Sequence, residues 1–125
     1  MSFVSRTPEQ GAAAEHLEMQ LVQFAAGVAV YEMPVRFVEN SVLVAFAETA
    51  MNAAATTAVP DLGSAEMRTL DLCAHFHGRV PADVETLRAE AIVVRSDGER
   101  VRVEADVLAD GCRVASFEAH SGVTR

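Results

Sequence analysis

One segment restricts the fold of this chain more than any other, because residues 42–59 are almost entirely apolar and leave almost no polar face. A helix on a protein surface keeps a charged face toward water, so a helix that is apolar all round is buried on most sides. Pro60 and Gly63 then end the segment, and Glu48 is its only charged residue. We therefore predict a long central helix over 42–59 that other elements surround.

Strand patterns flank this helix, one before it and four after it. Apolar residues alternate with polar or small ones, and no further helical period follows residue 63. The predicted strands are 28–38, 66–77, 83–96, 99–109 and 111–122. The pairs Asp97-Gly98 and Asp110-Gly111 are hairpin signals, so the last three strands should form an antiparallel meander. An antiparallel sheet of about five strands around one apolar helix is an α+β fold in which the sheet curls about the helix.

The N-terminal region predicts a second helix, over about 8–26. Thr7 can cap it, Pro8 suits its first position, and Gly27 can end it. Its apolar residues recur at helical spacing, as expected for one buried face: Leu17, Leu21, Phe24 and Ala25.

Length and charge limit the classes of function. A chain of 125 residues with half of them apolar fits a single domain, 1–125. The formal net charge is −8 and no Lys/Arg cluster occurs, so nucleic acid is not an expected partner. Only Cys73 and Cys112 occur, no leader-like segment precedes the first polar helix, and Glu48 interrupts the longest apolar run. These features predict a cytoplasmic protein that neither enters nor binds a membrane.

Glu48 is the first candidate for chemistry. Carboxylates are seldom buried without a partner or a purpose. One interpretation is a general base or nucleophile held among apolar groups. The other is a carboxylate that reaches solvent at a subunit boundary or pairs with an arginine.

Three runs resemble the hotdog-fold thioesterases of the phenylacetate-degradation type. Residues 43–51 read LVAFAETAM and resemble the central-helix motif of that family. Residues 69–76 read TLDLCAHF, which is similar to its T-x-D-L-x-I-x-F run. Residues 87–91 read LRAEA, which is similar to its L-x-A-E-A strand. The resemblance extends over about 17–123.

The resemblance implies a hotdog fold and hydrolysis of an acyl-CoA or an acyl group on a carrier protein, without a cofactor or metal. Glu48 matches the family carboxylate that activates a water or attacks the thioester directly. Backbone N–H groups at the helix start would polarise the carbonyl oxygen. Family members are homodimers or homotetramers whose sheets pair edge to edge, so we expect a homo-oligomer with its site between protomers.

The chain departs from the family before the helix. An Asn-x-x-Gly-x-x-His-Gly-Gly segment is usual there, whereas residues 37–42 read FVENSV and about eight residues are missing. Asn40 and Ser41 fall at the two glycines, unless Asn40 is the upstream Asn. The gap is either a true deletion or a segment missing from this sequence. The N–H groups of Ser41 and Val42 are expected to remain unpaired and to bind the oxyanion.

Thr69 and Asn52 are secondary candidates. Thr69 matches a family Ser or Thr that orients water, but strict strand alternation points it away from the helix unless a bulge, or its place at the start of the strand, turns it back. Asn52 lies one turn after Glu48, where some relatives carry Ser or Thr. The same alternation puts Cys73, His75 and His77 on one face, but a metal site would need further ligands from elsewhere, so none is predicted.

Two other functions compete with hydrolysis. A non-catalytic hotdog subunit that binds acyl groups or serves structurally would explain the missing segment. A hotdog dehydratase is disfavoured because no Asp-x-x-x-x-His signature occurs. The sequence alone does not identify the acyl group.

Overall fold

The computed structural model describes residues 17–36, 38–59 and 62–124. In these ranges the chain forms six strands and one helix. They are β1 (Gln20–Ala25), β2 (Val28–Pro34), α1 (Asn40–Thr56), β3 (Glu66–Phe76), β4 (Thr86–Ser96), β5 (Arg100–Ala109) and β6 (Cys112–Thr124). The predicted central helix is confirmed, although it begins and ends two or three residues earlier than expected.

The predicted helix over 8–26 is wrong in its last part, where residues 20–25 form β1, and residues up to 16 lie outside the described ranges. β1 pairs with β2, and a register shift between Leu21 and Gln23 inserts an extra residue. Leu21 and Phe24 therefore both pack against the core although they are three residues apart. That spacing imitates a helical period, which explains the error.

The six strands form one antiparallel sheet in the order β1-β2-β4-β5-β6-β3. The predicted meander of β4, β5 and β6 is confirmed. Gly98 and Gly111 sit in its turns at φ 101° and 79°, a backbone conformation that favours glycine. The sheet has one strand more than expected, β1, and β3 lies at the edge opposite to it.

The helix packs against the inner face of this sheet. Alternate residues of β5 point inward and are buried, including Val101, Val103 and Val107. On α1, Phe46 and Met51 are buried against them. The small alanines on the buried side of α1 let the helix approach the strands closely, and they are Ala47, Ala50, Ala53, Ala54 and Ala55. This arrangement confirms the α+β prediction.

Thr57 fixes the end of α1 to the turn between β1 and β2. Its hydroxyl accepts a hydrogen bond from the Gly27 N–H at 2.6 Å and donates one to the Ala54 carbonyl at 2.7 Å. Thr57 is buried. The helix therefore has a fixed position along the sheet, which in turn positions its polar side chains. Within the described ranges, no helix is long and apolar enough to cross a membrane.

Candidate active site

The helix α1 is less buried along one side. Five residues at spacings of three or four form this side, which we call the α1 stripe, and they share one helix face. Each is exposed or half-buried, in contrast with the buried opposite face. The α1 stripe consists of Ser41, Ala45, Glu48, Asn52 and Thr56.

Glu48 lies in the middle of the α1 stripe and is half-buried. Its carboxylate makes no hydrogen bond or ion pair with any residue in the described ranges. The interpretation that Glu48 pairs with an arginine therefore finds no support in these residues. A partly desolvated carboxylate without a partner is free to accept a proton or attack an electrophile.

Ala45 leaves space beside this carboxylate. Side chains on a helix point back toward its N-terminus, so the Glu48 carboxylate extends over the turn that contains Ala45. Ala45 is half-buried and carries only a methyl group. Ser41 and Glu48 are about 10 Å apart along the axis at 1.5 Å per residue. On the α1 stripe, therefore, no side chain larger than a methyl group lies between Ser41 and Glu48.

The helix start offers fewer backbone donors than the sequence predicted. The Val42 N–H donates to the Glu39 carbonyl at 2.9 Å, and the Leu43 N–H donates to the same oxygen at 3.2 Å. The prediction that the Val42 N–H is unpaired is therefore wrong, because a tight first turn uses it. The N–H groups of Asn40 and Ser41 have no acceptor among the described residues, and no side chain caps this end. They remain available to an anionic oxygen.

A bulge in β3 brings Thr69 to the α1 stripe. The pairing with β6 shifts between Thr69 and Asp71, which leaves Leu70 as the inserted residue. Strict alternation, which pointed Thr69 away from the helix, is therefore wrong, and the bulge alternative is confirmed. The Thr69 hydroxyl donates to Asn52 Oδ1 at 3.3 Å. Asn52 and Thr69 thus form a polar pair one helical turn beyond Glu48.

The structure adds Ser121, which sequence reasoning missed. Ser121 on β6 is directly paired with Thr69 and has no solvent exposure. Its hydroxyl has no hydrogen-bond partner among the described residues. Only the pairing of β3 with β6 places this serine beside Thr69, so no local pattern could have identified it.

The outer face of the sheet carries the remaining polar pairs. His120 contacts Asp71 at 2.8 Å, His77 contacts Ser116 at 2.8 Å, and Cys73 lies 3.6 Å from His75. The hydrogen bond from His120 lowers the pKa of Asp71 below its ordinary value. Across the described ranges, no three residues of the metal-binding types are grouped as a metal site requires.

Two open concavities of about 290 and 310 Å³ also lie on this outer face, and neither includes a residue of α1. Their carboxylates form ion pairs with arginines. Arg88 contacts Glu32 and Glu90, and Arg102 lies between two further glutamates, Glu104 and Glu118. The hydrogen bond to Glu90 raises the pKa of Arg88. The acids of these grooves are committed to ion pairs, whereas Glu48 is not, so the α1 stripe is the better candidate for chemistry.

The arrangement of one central helix in a curved antiparallel sheet is the hotdog fold. No protein-family model matches the chain, and no curated protein matches it in sequence. Solved structures match it closely in backbone. A mutant of thioesterase enzyme SAV0944 from Staphylococcus aureus superposes with a TM-score of 0.83 at 14% identity, covering 92% of this chain and 100% of that chain.

Two further solved structures show the same likeness. The E. coli PaaI protein from the phenylacetic acid degradation operon has a TM-score of 0.81 at 19% identity, covering 93% of this chain and 86% of that chain. Thioesterase HI1161 from Haemophilus influenzae has a TM-score of 0.80 at 18% identity, covering 93% of this chain and 85% of that chain. At these identities the likeness establishes the hotdog fold.

Proposed function

We propose that this protein is a thioesterase that hydrolyses an acyl-CoA or an acyl group on a carrier protein. The observation that carries the proposal is Glu48, a half-buried carboxylate without a partner among the described residues, on the less buried side of an otherwise apolar helix. The names of two similar structures, which call those proteins thioesterases, support the same reaction class.

The proposed reaction uses the α1 stripe from its N-terminal end. The thioester carbonyl lies over Ala45, with its oxygen toward the N–H groups of Asn40 and Ser41 and the positive end of the helix dipole. Glu48 takes a proton from water as the water oxygen attacks the carbonyl carbon. The C–S bond then breaks, and protonated Glu48 returns the proton to the leaving thiolate.

The same residues also allow direct attack by Glu48. In that route the carboxylate oxygen bonds to the carbonyl carbon, the thiolate leaves, and water hydrolyses the resulting anhydride. Both routes need the same carboxylate in the same place. No cofactor enters either route.

A second copy of the chain is part of the proposal. β3 is an edge strand, paired on one side by β6, and Leu70 and Phe76 on it are exposed. Unprotected edges of this kind invite pairing with another strand. We propose a homodimer, or a tetramer built from it, in which paired sheet edges bring a partner protomer over the nearby α1 stripe.

The test is thiol release from short acyl-CoA thioesters by the wild type and by Glu48→Gln. Glutamine keeps the shape of the side chain but cannot act as base or nucleophile, so the rate should fall about 10³-fold. Glu85→Gln is the matched control, since Glu85 is exposed outside the α1 stripe, and its rate should stay within about twofold of wild type.

Two outcomes would contradict the proposal. A Glu48→Gln protein that retains half of the wild-type rate would make Glu48 structural. Wild-type protein that binds acyl-CoA without releasing thiol would instead identify a non-catalytic acyl-binding subunit, the alternative that the missing segment before α1 favours.

A further inference from the structure

The free edge of β3 is regular only over part of its length. The bulge at Leu70 disturbs the strand on one side, and the chain bends just after His77. Between these two points, residues 71–77 pair with β6 without a register shift. Antiparallel strands form an unbroken ladder of hydrogen bonds only along such a regular stretch, because a bulge interrupts it. A partner strand at this edge is therefore expected to pair with residues 71–77.

The pairing with β6 decides which backbone groups face the free edge. The His77 N–H donates to the Val114 carbonyl at 2.8 Å, and these two residues lie opposite each other in the register of β3 and β6. Hydrogen-bonded pairs alternate with non-bonded pairs along an antiparallel ladder. The N–H and C=O groups of Leu72, Ala74 and Phe76 therefore point away from β6, and no described strand lies beyond them.

Two-fold symmetry restricts the register in which two β3 strands can pair. Residues that lie directly opposite each other in a continuous sheet point to the same face. Residues 71, 73, 75 and 77 point outward and are exposed, whereas 72, 74 and 76 point to the helix side. Each residue must therefore oppose a member of its own set. The two-fold axis must pass beside a residue, because an axis between two residues would oppose an outward side chain with an inward one.

An axis beside Ala74 pairs the free backbone groups most completely. Ala74 then opposes itself, and Leu72 opposes Phe76 of the partner subunit, so all the free groups of these residues gain a hydrogen bond. An axis beside Cys73 would place Phe76 against the bulge. An axis beside His75 would place Leu72 beyond the end of the strand. Either of these would leave backbone groups of the interface unpaired, which is costly once water is excluded.

The side chains fit the same axis. On the helix side, Leu72 would cover the ring of the partner's Phe76, a residue that is 39% exposed in the single chain. On the outer side, Asp71 would lie opposite the partner's His77. Apolar pairs and pairs of an acid with an imidazole are favourable across strands. Symmetry repeats each of these contacts on the other side of the axis.

We propose that a second copy of this chain pairs with β3 about a two-fold axis at Ala74. Gly78 of the partner subunit then lies opposite the bulge that turns Thr69 toward Asn52. The partner's chain therefore runs beside this polar pair, and the α1 stripe is complete only in the dimer. This register rests on the dimer included in the proposed function, but it can be tested without hydrolysis.

Disulfide bonds between protomers test the axis, because they form only between residues whose Cα atoms lie within about 7 Å. The main variant carries Asp71→Cys and His77→Cys in a chain whose own cysteines are replaced, Cys73→Ser and Cys112→Ser. The two positions are about 20 Å apart along the strand, so they cannot bond within one chain. At the proposed axis each lies about 4.5 Å from the other position of the partner, measured between Cα atoms. Oxidation by diamide should convert most of this protein into a covalent dimer on a denaturing gel without reductant.

The matched controls carry one substitution each, Asp71→Cys or His77→Cys, in the same background. They should give no covalent dimer, since neither position opposes itself. Ala74→Cys in this background is a second test that leaves the outer polar residues intact. It should give the covalent dimer, because position 74 opposes itself at about 5.5 Å. Light scattering and thermal unfolding verify that each variant is dimeric and folded before oxidation.

Cys73 tests the competing register. At the proposed axis it lies about 7–8 Å from its own copy, too far for a disulfide. A covalent dimer formed through Cys73 in the Cys112→Ser protein would move the axis to Cys73 and overturn the proposal. A dimer in which neither Ala74→Cys nor the Asp71 and His77 pair forms a disulfide would overturn it as well.

Thiol release from short acyl-CoA thioesters by the wild type separates this proposal from the proposed function. Turnover by a dimer that forms neither disulfide would overturn the register and leave the thioesterase intact. Both disulfides without any turnover would keep the register and remove the thioesterase. A wild type that is monomeric in light scattering would overturn the register together with the dimer on which it rests.

Discussion

Replacement of Thr57 by valine tests how the fold holds α1 in place. Valine has nearly the same shape but neither donates nor accepts a hydrogen bond. The Ala54 carbonyl would keep its bond from the Thr57 N–H at 3.1 Å, so its loss is small. The Gly27 N–H would lose its acceptor at 2.6 Å while half-buried. An unsatisfied donor of this kind costs about 2 kcal/mol.

For a chain of this size, about 2 kcal/mol corresponds to a fall in Tm of about 8 °C. Calorimetry or circular dichroism at one fixed protein concentration measures it, because oligomerisation makes Tm depend on concentration. Thr56→Val is the control: its hydroxyl bonds only to Asn52 O inside the helix, and the expected change is below about 0.5 kcal/mol. Equal Tm values for the two variants would refute the role assigned to Thr57.

Two further predictions concern the α1 stripe and the outer face. Ala45→Leu should lower the rate of thioester hydrolysis by at least about 10²-fold, because the larger side chain occupies the proposed position of the carbonyl group. Its Tm should change little, since Ala45 is only half-buried. An unchanged rate would mean that the thioester binds elsewhere. Asp71→Asn should lower Tm near neutral pH, and the difference from wild type should shrink as the medium becomes acidic. The reason is that a carboxyl whose folded pKa is lowered stabilises the fold above its unfolded pKa and loses that effect as the pH falls through the folded pKa. A Tm difference that does not shrink as the pH falls would contradict this.

The central helix and the β4–β6 meander could be predicted because their signals are local. The helix is a largely apolar run, and its one charged residue, Glu48, is visible in the sequence. The hairpin glycines at 98 and 111 occupy the left-handed conformation that their Asp-Gly pairs predict. A local sequence pattern is enough to predict a helix or a turn whose conformation depends on its own residues.

The two errors arose where a bulge alters the side-chain period. In β1 the inserted residue puts Leu21 and Phe24 on one face. In β3 the bulge at Leu70 shows only in the pairing with β6. The Leu70 side chain packs over Gly122 of that strand, where an added Cβ would lie 2.9 Å from Leu70 Cδ1. No pattern within β3 alone therefore reveals which way Thr69 points.

The helix start shows a third limit. The sequence indicates where a helix begins to within a few residues, but not whether its first turn is tight. The bond from the Val42 N–H to Glu39 O removes one of the two donors that were expected there. The donors that remain, at Asn40 and Ser41, belong to the exposed end of the α1 stripe.

A crystal structure of the Glu48→Gln protein with an intact acyl-CoA thioester tests the central claim most directly, because it locates the substrate without relying on its turnover. The account predicts the thioester carbonyl over Ala45, with its oxygen near the Asn40 and Ser41 N–H groups. A thioester bound in the outer grooves of the sheet, against Ile92 or Ser116, with α1 free of ligand, would contradict it.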